Sequence, residues 1–460
     1  MTTASTAGDT TNQRRILTIA VLASFVAFLD GTVVNVALPA IADELGGGLT
    51  TQQWVVDAYL LTLGALILVA GSVSDAYGRV LVMRIGLIGF GIASIAIAAA
   101  PTAEFLIAAR AVQGAAGAFL VPSSLALITS TFQGAAQARA IGTWTAWTTS
   151  ALIVGPLTGG LFVDLLSWRL AFLINVVPIA LTFWLLAQAK ARDSRRADAS
   201  IDWIGAILCT AGLGAFVFGL IEQPRLGWAS PWIWVSLVGG GILFALFLLR
   251  QRVARNPVLP LELFRVRNFW AGNVATAFIY GALSLNGFVV GVYLQQGAGL
   301  SATLAGLASL PSTVLLILLS TRVGALAGRW GPRLFMTFGP ILMSVGALLL
   351  LTVSPEFSYW WQVLPSMLLM GLGLAITVSP LTSAILGAID TERSGIASAV
   401  NNAVSRVAGL MAIALLAIVV GGTLDLNGFH RTAIVTAALM IVGGVVSFAG
   451  IRNGARPAGV

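Results

Sequence analysis

The sequence specifies an all-α polytopic membrane protein. About 14 transmembrane helices are expected, grouped as two six-helix bundles related by a pseudo-two-fold axis with two extra central helices. Composition is the first reason: of 460 residues, 58% are hydrophobic and only 9% charged, where a soluble chain carries about 25% charged residues. Apolar runs are the second, at 15–38, 53–72, 80–99, 103–127, 138–162, 168–189, 201–221, 230–249, 268–294, 302–323, 333–353, 359–386, 395–420 and 431–451; each is near the length of about 20 residues that crosses a bilayer as a helix. The third is where the charges fall. Arg14, Arg15, Arg79, Arg84, Arg139, the basic stretches 190–196, 250–267 and 322–333, Arg393, Arg452 and Arg456 all lie on one side of the alternating runs. Arg169, Arg225 and Arg431 lie on the other, beside Asp43, Glu44, Glu104, Asp164, Glu222, Glu356 and Asp425. An excess of Arg in loops marks the cytoplasmic face, so both termini are expected there and the number of spans is even.

The formal charge of +8 is therefore a topology signal and not a nucleic-acid footprint. One cysteine, Cys209, excludes an intramolecular disulfide and a thiolate metal cluster. Lys190 is the only lysine, and no G-x-x-x-x-G-K-[ST] loop exists to cradle the phosphates of ATP. No nucleophile, base and orienting group converge, so an enzyme is not expected. The polar N-terminus lacks a small-residue cleavage site after the first run and is expected to be retained.

Taken in order, residues 1–14 form a polar tail and 15–189 a first bundle of six spans. Residues 190–267 hold linkers around a two-helix hairpin, 268–451 a second bundle, and 452–460 a tail. The division rests on a weak repeat. Gly71-x6-Gly78-Arg79, with Leu81 and Gly86, recurs as Gly324-x6-Gly331-Pro332, with Leu334 and Gly339. Each copy joins the second and third spans of a six-span group, as in parallel-repeat transporters.

Span 1 carries Asp30 inside Phe28-Leu29-Asp30-Gly31-Thr32-Val33-Val34-Asn35-Val36-Ala37-Leu38-Pro39. Counting back from Pro39 sets Asp30 about 13 Å below the membrane boundary, and Arg110 of span 4 about 9 Å below the same one. Ionised groups in hydrocarbon are costly and are kept where they face protein or water, so the two are natural partners. As a pair they read either as a proton switch, Asp30 taking a proton when Arg110 moves away, or as a structural ion pair. Asp57, one turn into span 2, reads either as a second titrating or cation-attracting group or as a solvated end charge. Arg110, Gln113, Gly114 and Gly117 share one face of span 4. Ala151, Gly155 and Gly159 form a small-residue stripe on span 5, with Pro156 and Gly160 beside it, suited to close packing or to rocking of one helix on another.

In the second half, Ser398, Asn402, Arg406 and Gly409 lie near one face of span 13, and Arg406 is at mid-membrane with no obvious acid partner. Asp30, a backbone carbonyl and a substrate anion are all open as its partner. Asn35, Tyr59, Gln113, Trp144, Trp147, Asn273, Tyr280, Asn286, Tyr293, Asn402 and Arg406 are candidates to line a mostly apolar cavity. In the loop between spans 2 and 3, Gly71, Asp75, Gly78 and Arg79 suit a tight turn with a charge bridge across it.

Together these stretches resemble the major facilitator superfamily, in its fourteen-span drug:proton antiporter branch. L-D-G-T-V-V-N-V-A-L-P is similar to that branch's first-helix motif and G-S-V-S-D-A-Y-G-R to the superfamily loop motif. A-R-A-V-Q-G-A-A-G resembles the helix 4 motif, G-P-L-T-G-G the helix 5 antiporter motif, and S-W-R-L-A-F-L-I-N-V-V-P extends the match into span 6. The resemblance implies a rocking two-bundle fold that exports a small lipophilic molecule, driven by the proton gradient without another cofactor. It implies that Asp30 and Arg110 couple protons, that Gly155, Pro156, Gly159 and Gly160 favour antiport, and that Asp75 and Arg79 latch the outward-facing state. The loop departs from the family at Ala76 and Val80, where basic residues are usual, and the second copy has Gly328 where the first has Asp75. The expected location is the bacterial cytoplasmic membrane, the expected state a monomer, and the partners are lipid, protons and a small, cationic cargo. A dedicated exporter of an endogenous antibiotic, lipid or siderophore is the alternative, ahead of a membrane sensor or scaffold that does not transport.

Overall fold

The computed structural model describes residues 3–189, 201–390 and 393–453, with side chains from residue 11 onward. The basic stretch 190–196 and Arg456, used above to orient the chain, lie outside the described residues. Among the described residues, fourteen helices are long and apolar enough to cross a membrane. Spans 1–6 are Thr11–Leu45, Gly48–Tyr77, Arg79–Ala98, Ala103–Thr131, Gly134–Leu165 and Leu170–Gln188. Spans 7 and 8 are Trp203–Leu226 and Pro231–Val253. Spans 9–14 are Arg267–Gln296, Ala302–Trp330, Pro332–Thr352, Tyr359–Leu386, Ser394–Val420 and Leu426–Gly450.

Several of these helices are broken where proline dictates. Proline lacks an N–H and its ring crowds the carbonyl four residues back. Span 4 is interrupted at Ala118 and Phe119, ahead of Pro122, and span 6 at Ile174 and Asn175, ahead of Pro178. Proline does not break every helix. Span 1 runs on through Pro39 to Leu45, so the first apolar run does not end at Pro39 and a depth counted from that residue is too small. Span 5 is likewise continuous through Pro156.

The chain folds as two compact units. The first is built on spans 1–6 and takes in span 7 as far as Gly214 and span 8 from Ile242; the second is built on spans 9–14 and takes the intervening Ala215–Gly241. Within each, helices pack through small residues, the usual solution where lipid offers no hydrophobic drive between helices. In the first unit a Cβ on Gly114 would collide with the Tyr59 carbonyl and the Thr62 hydroxyl. Spans 2 and 4 are further tied by the Thr62 hydroxyl donating to the Ala111 carbonyl at 2.7 Å. In the second unit Gly272 meets Ile385, Gly373 meets Met343, and Gly443 meets Ile279 in the same way. Exposed Trp184, Trp203, Trp232, Trp234, Trp360 and Trp361 sit near span ends, where amphipathic rings suit the membrane interface.

The repeat seen in the sequence is a repeat of backbone. Gly78 ends span 2 and starts span 3 at φ 103, ψ 138. Gly331 ends span 10 and starts span 11 at φ 84, ψ 155. Both conformations are close to a region reserved for glycine. Gly71, by contrast, lies inside span 2 with open space around its missing side chain, so the turn belongs to Gly78 alone.

The start of span 7 and the end of span 8 are clamped through Asp202, which is buried. Its carboxylate accepts from the Gly205 N–H at 3.0 Å, Arg250 Nε at 3.1 Å and Gln251 Nε2 at 3.0 Å. Burial works to raise this carboxyl, but the Gly205 N–H, the Gln251 amide and the Arg250 guanidinium outweigh it and hold it below its ordinary value of 3.8.

Gly78→Ala and Gly331→Ala are each expected to cost about 1–3 kcal/mol of stability, read as a lower melting temperature of purified protein, whereas Gly71→Ala, in open space within a helix, is expected to raise stability by about 0.4–1 kcal/mol. A lowered carboxyl stabilises the fold above its unfolded value, and that contribution disappears as pH falls through the folded value. Asp202→Asn is therefore expected to melt below wild type at neutral pH, with the gap closing once pH falls below 3.8.

Candidate functional site

Four spans of the first unit converge on Asp30, which is fully buried. Arg110 Nη1 donates to Asp30 Oδ2 at 2.6 Å. Asp30 Oδ1 accepts from Gln113 Nε2 at 2.9 Å and from Asn175 Nδ2 at 3.1 Å. The Arg110 charge is spread further: Nη1 also donates to Gln113 Oε1 at 2.6 Å and Nε to the Val55 carbonyl at 2.9 Å. Its guanidinium lies over the Tyr59 ring at 4.3 Å and within 5.7 Å of the Phe172 ring, a favourable cation–π arrangement. Ser94 closes the network, its Oγ accepting from Gln113 Nε2 at 2.9 Å and from Asn175 Nδ2 at 3.5 Å.

Local sequence explains how the groups meet. Arg110 and Gln113 are three apart on span 4 and face one way, while Gly114 lets that face approach span 2. Asn175 stands at the break that Pro178 imposes on span 6. Asn175 and Ser94 were not singled out from the sequence. The signal for Asn175 was an amide inside an apolar run three residues before a proline; nothing in the sequence distinguishes Ser94 from other membrane serines. Asn175 Oδ1 is buried with no hydrogen-bond partner among the described residues.

Span 5 bears directly on the helix that carries Asp30. A Cβ on Gly155 would strike Thr32, and one on Gly159 would strike Val33 and Val36. The Thr32 hydroxyl donates to the Ala151 carbonyl at 3.1 Å. Pro156 and Gly160 are buried on the same helix. Any displacement of span 5 is therefore felt at span 1.

The other expected residues are more scattered. Asp57 is completely buried and neither carboxyl oxygen has a partner among the described residues, which excludes the solvated end charge. Tyr59 donates its hydroxyl to the Ala27 carbonyl at 3.4 Å and belongs to the Asp30 network through its ring. Asn35 is half-buried, and Trp147 is 60% exposed. Between spans 2 and 3, Arg79 reaches Asp75 at 3.5 Å and donates to the Ala126 carbonyl of span 4 at 3.0 Å. In the second unit Tyr280, Asn286 and Arg406 are half-buried and Asn402 is exposed. Asn273, by contrast, is buried and accepts from Asn401 Nδ2 at 3.2 Å, so it ties span 9 to span 13. Tyr293 stacks on Phe429 at 4.2 Å. Among the described residues no group of three or more metal-ligating side chains forms.

Comparison with known proteins identifies the family. The family model of the Major Facilitator Superfamily matches residues 20–413. The chain belongs to the Major Facilitator Superfamily. Among its relatives in that superfamily, the methylenomycin A resistance protein of Bacillus subtilis is 32% identical over 88% of this chain and 87% of its own length. Multidrug resistance protein Stp of Mycobacterium tuberculosis is 33% identical over 90% of this chain and 77% of its own. The crystal structure of a peptide transporter in complex with sulfate shares the fold, with a TM-score of 0.71, 16% identity and coverage of 95% of this chain and 94% of that one. The protein is thus a multi-pass transporter of the bacterial cytoplasmic membrane, of a family that moves small molecules and whose members here include resistance proteins.

Losing one donor to a buried carboxylate costs about 1.5–3 kcal/mol. Asn175→Leu is expected to destabilise wild type by that amount and the Asp30→Asn background by less, a coupling that a double-mutant cycle of thermal or denaturant unfolding measures.

Proposed function

We propose that this chain is a proton-coupled antiporter that exports small lipophilic compounds by alternating access. The observation that supports it most is the buried Asp30–Arg110 pair, held by Gln113 and Asn175 on a helix that span 5 grips through Gly155 and Gly159. An ionised carboxylate in an apolar bundle needs its guanidinium; once the pair loosens, a proton is the other way to neutralise it. Arg110 does not deprotonate, so Asp30 is the carrier and Arg110 its tuner. A movement of span 5 during the transport cycle would loosen the pair by shifting span 1. Asp75 and Arg79 serve as a latch between spans 2 and 3, Asp57 is a second proton or cation site, and both termini face the cytoplasm, in keeping with the loop arginines. The protein acts as a monomer and the proton gradient is its energy source, with no other cofactor and no catalysis.

The names of the relatives support antibiotics and other toxic compounds as cargo. The unpartnered Asp57 favours a cationic group on that cargo. Arg406 favours a second reading, in which the cargo carries an anionic group. A dedicated exporter of an endogenous metabolite differs from a drug exporter in the breadth of this cargo and not in the coupling; a membrane sensor or scaffold has no use for a buried proton site.

Asp30→Asn is expected to insert normally and to abolish pH-gradient-driven efflux of a chemically diverse panel from cells, with transport at wild-type level overturning the assignment. Arg110→Lys keeps the charge and loses the planar fork, so impaired coupling is expected in the same assay.

A further inference from the structure

Arg406 is a charge within span 13 that lies outside the Asp30 network. It lies twelve residues after Ser394 and fourteen before Val420 in span 13, about 18 Å and about 21 Å from the two ends. No Asp or Glu occurs within spans 9–14. Among the described residues, neither a hydrogen bond nor an ion pair engages its guanidinium.

Its surroundings are not those of a stray cation. Span 13 buries Ala397, Val400, Ala403, Gly409, Leu410, Ile413 and Ala414. Ser398, Asn402, Ser405 and Arg406 share one face at helical spacing, and Gly409 and Ile413 continue that face as buried residues toward the far end of the helix. The rotation of the helix is fixed against span 9. Asn401 Nδ2 donates to Asn273 Oδ1 at 3.2 Å and to Thr276 Oγ1 at 2.8 Å, and a Cβ on Gly281 would sit 3.3 Å from the Ala408 carbonyl. Tyr280 lies one turn after Thr276 on the face of span 9 that packs against span 13, with its hydroxyl unbonded among the described residues. Acyl chains cannot solvate a polar stripe with a guanidinium at mid-depth, so this face meets water or protein.

We propose that Arg406 is an anion-recognition site that takes a carboxylate, or an equivalent singly charged oxyanion, on an amphipathic cargo, with the Tyr280 hydroxyl as a second donor. The guanidinium offers a planar pair of N–H groups matched to a carboxylate, and an apolar cargo body is compatible with the surrounding helices. This rests on the exporter reading for the nature of the ligand, and the ligand is a carboxylate-bearing compound instead of the cation that Asp57 favours.

The test is equilibrium binding to purified full-length protein in nanodiscs, with no pH gradient. The probes are 1-naphthoate, 1-naphthylmethanol and 1-naphthylmethylammonium, each read by its effect on thermal unfolding. Naphthoate is expected to stabilise wild type most. Arg406→Gln is expected to weaken naphthoate by at least about tenfold relative to the neutral probe, Arg406→Lys by less, and Tyr280→Phe by a few fold. Tyr280→Phe and Arg406→Lys keep the test open should Arg406→Gln fold poorly. No preference of wild type for naphthoate, or equal naphthoate affinity in Arg406→Gln, overturns the site. Equal protection by chloride at the same concentration overturns its assignment to cargo. Failure of proton coupling leaves this readout intact, and failure of this readout leaves the Asp30 efflux experiment standing.

Discussion

A carboxylate buried in an apolar helix bundle must be neutralised or paired, and the architecture of the first unit answers that demand. Asp30 is completely buried and Arg110 nearly so. Breaking such a pair from one side leaves an uncompensated charge at a cost of about 3–5 kcal/mol. Each further contact follows from satisfying one of the two. Arg110 has donors left over, which the Val55 carbonyl and Gln113 take up; Gln113 has an N–H left over, which Ser94 accepts. Asn175 completes the shell around Asp30 from a helix that had to be broken for its amide to arrive.

The same pair explains the placement of small residues. Gly114 admits the span 4 face to span 2, and Gly155 and Gly159 admit span 5 to span 1. Span 1 is thereby held between the helix that supplies the guanidinium and the helix that bears the glycine stripe. In the proposed cycle this is the link between proton occupancy and helix movement: packing at near backbone distance passes a displacement on, because a close-packed interior has no slack to absorb it.

The two units repeat a backbone and not a chemistry. Gly78 and Gly331 make equivalent turns between equivalent spans, yet Asp75 is answered by Gly328, and spans 9–14 contain no acid to answer Asp30. The second unit is left with Arg406 as a mid-membrane cation. In the proposed function this becomes a division of labour, with protons assigned to the first unit and a charge for the ligand to the second.

Most of the fold was determined by the sequence alone, because crossing a bilayer requires about 20 apolar residues in a helix and few other segments meet that condition. The fourteen spans, the repeat around Gly78 and Gly331, and the pairing of Asp30 with Arg110 were legible from run length, glycine spacing and charge depth. Tertiary structure decided what local pattern could not. Pro39 sits inside a helix that its neighbours hold together, where the sequence suggested an end. Asp57 is sealed: the apolar run suggested a position one turn into span 2, but the helix starts at Gly48, nine residues ahead of it. Ser94 and Asn175 join the site because two turns of distant helices meet there, and a hydroxyl or amide in an apolar run carries no mark of the partner it will find. Hydrophobicity acts on each segment separately and can be read one segment at a time; a hydrogen-bond network is a property of several helices at once.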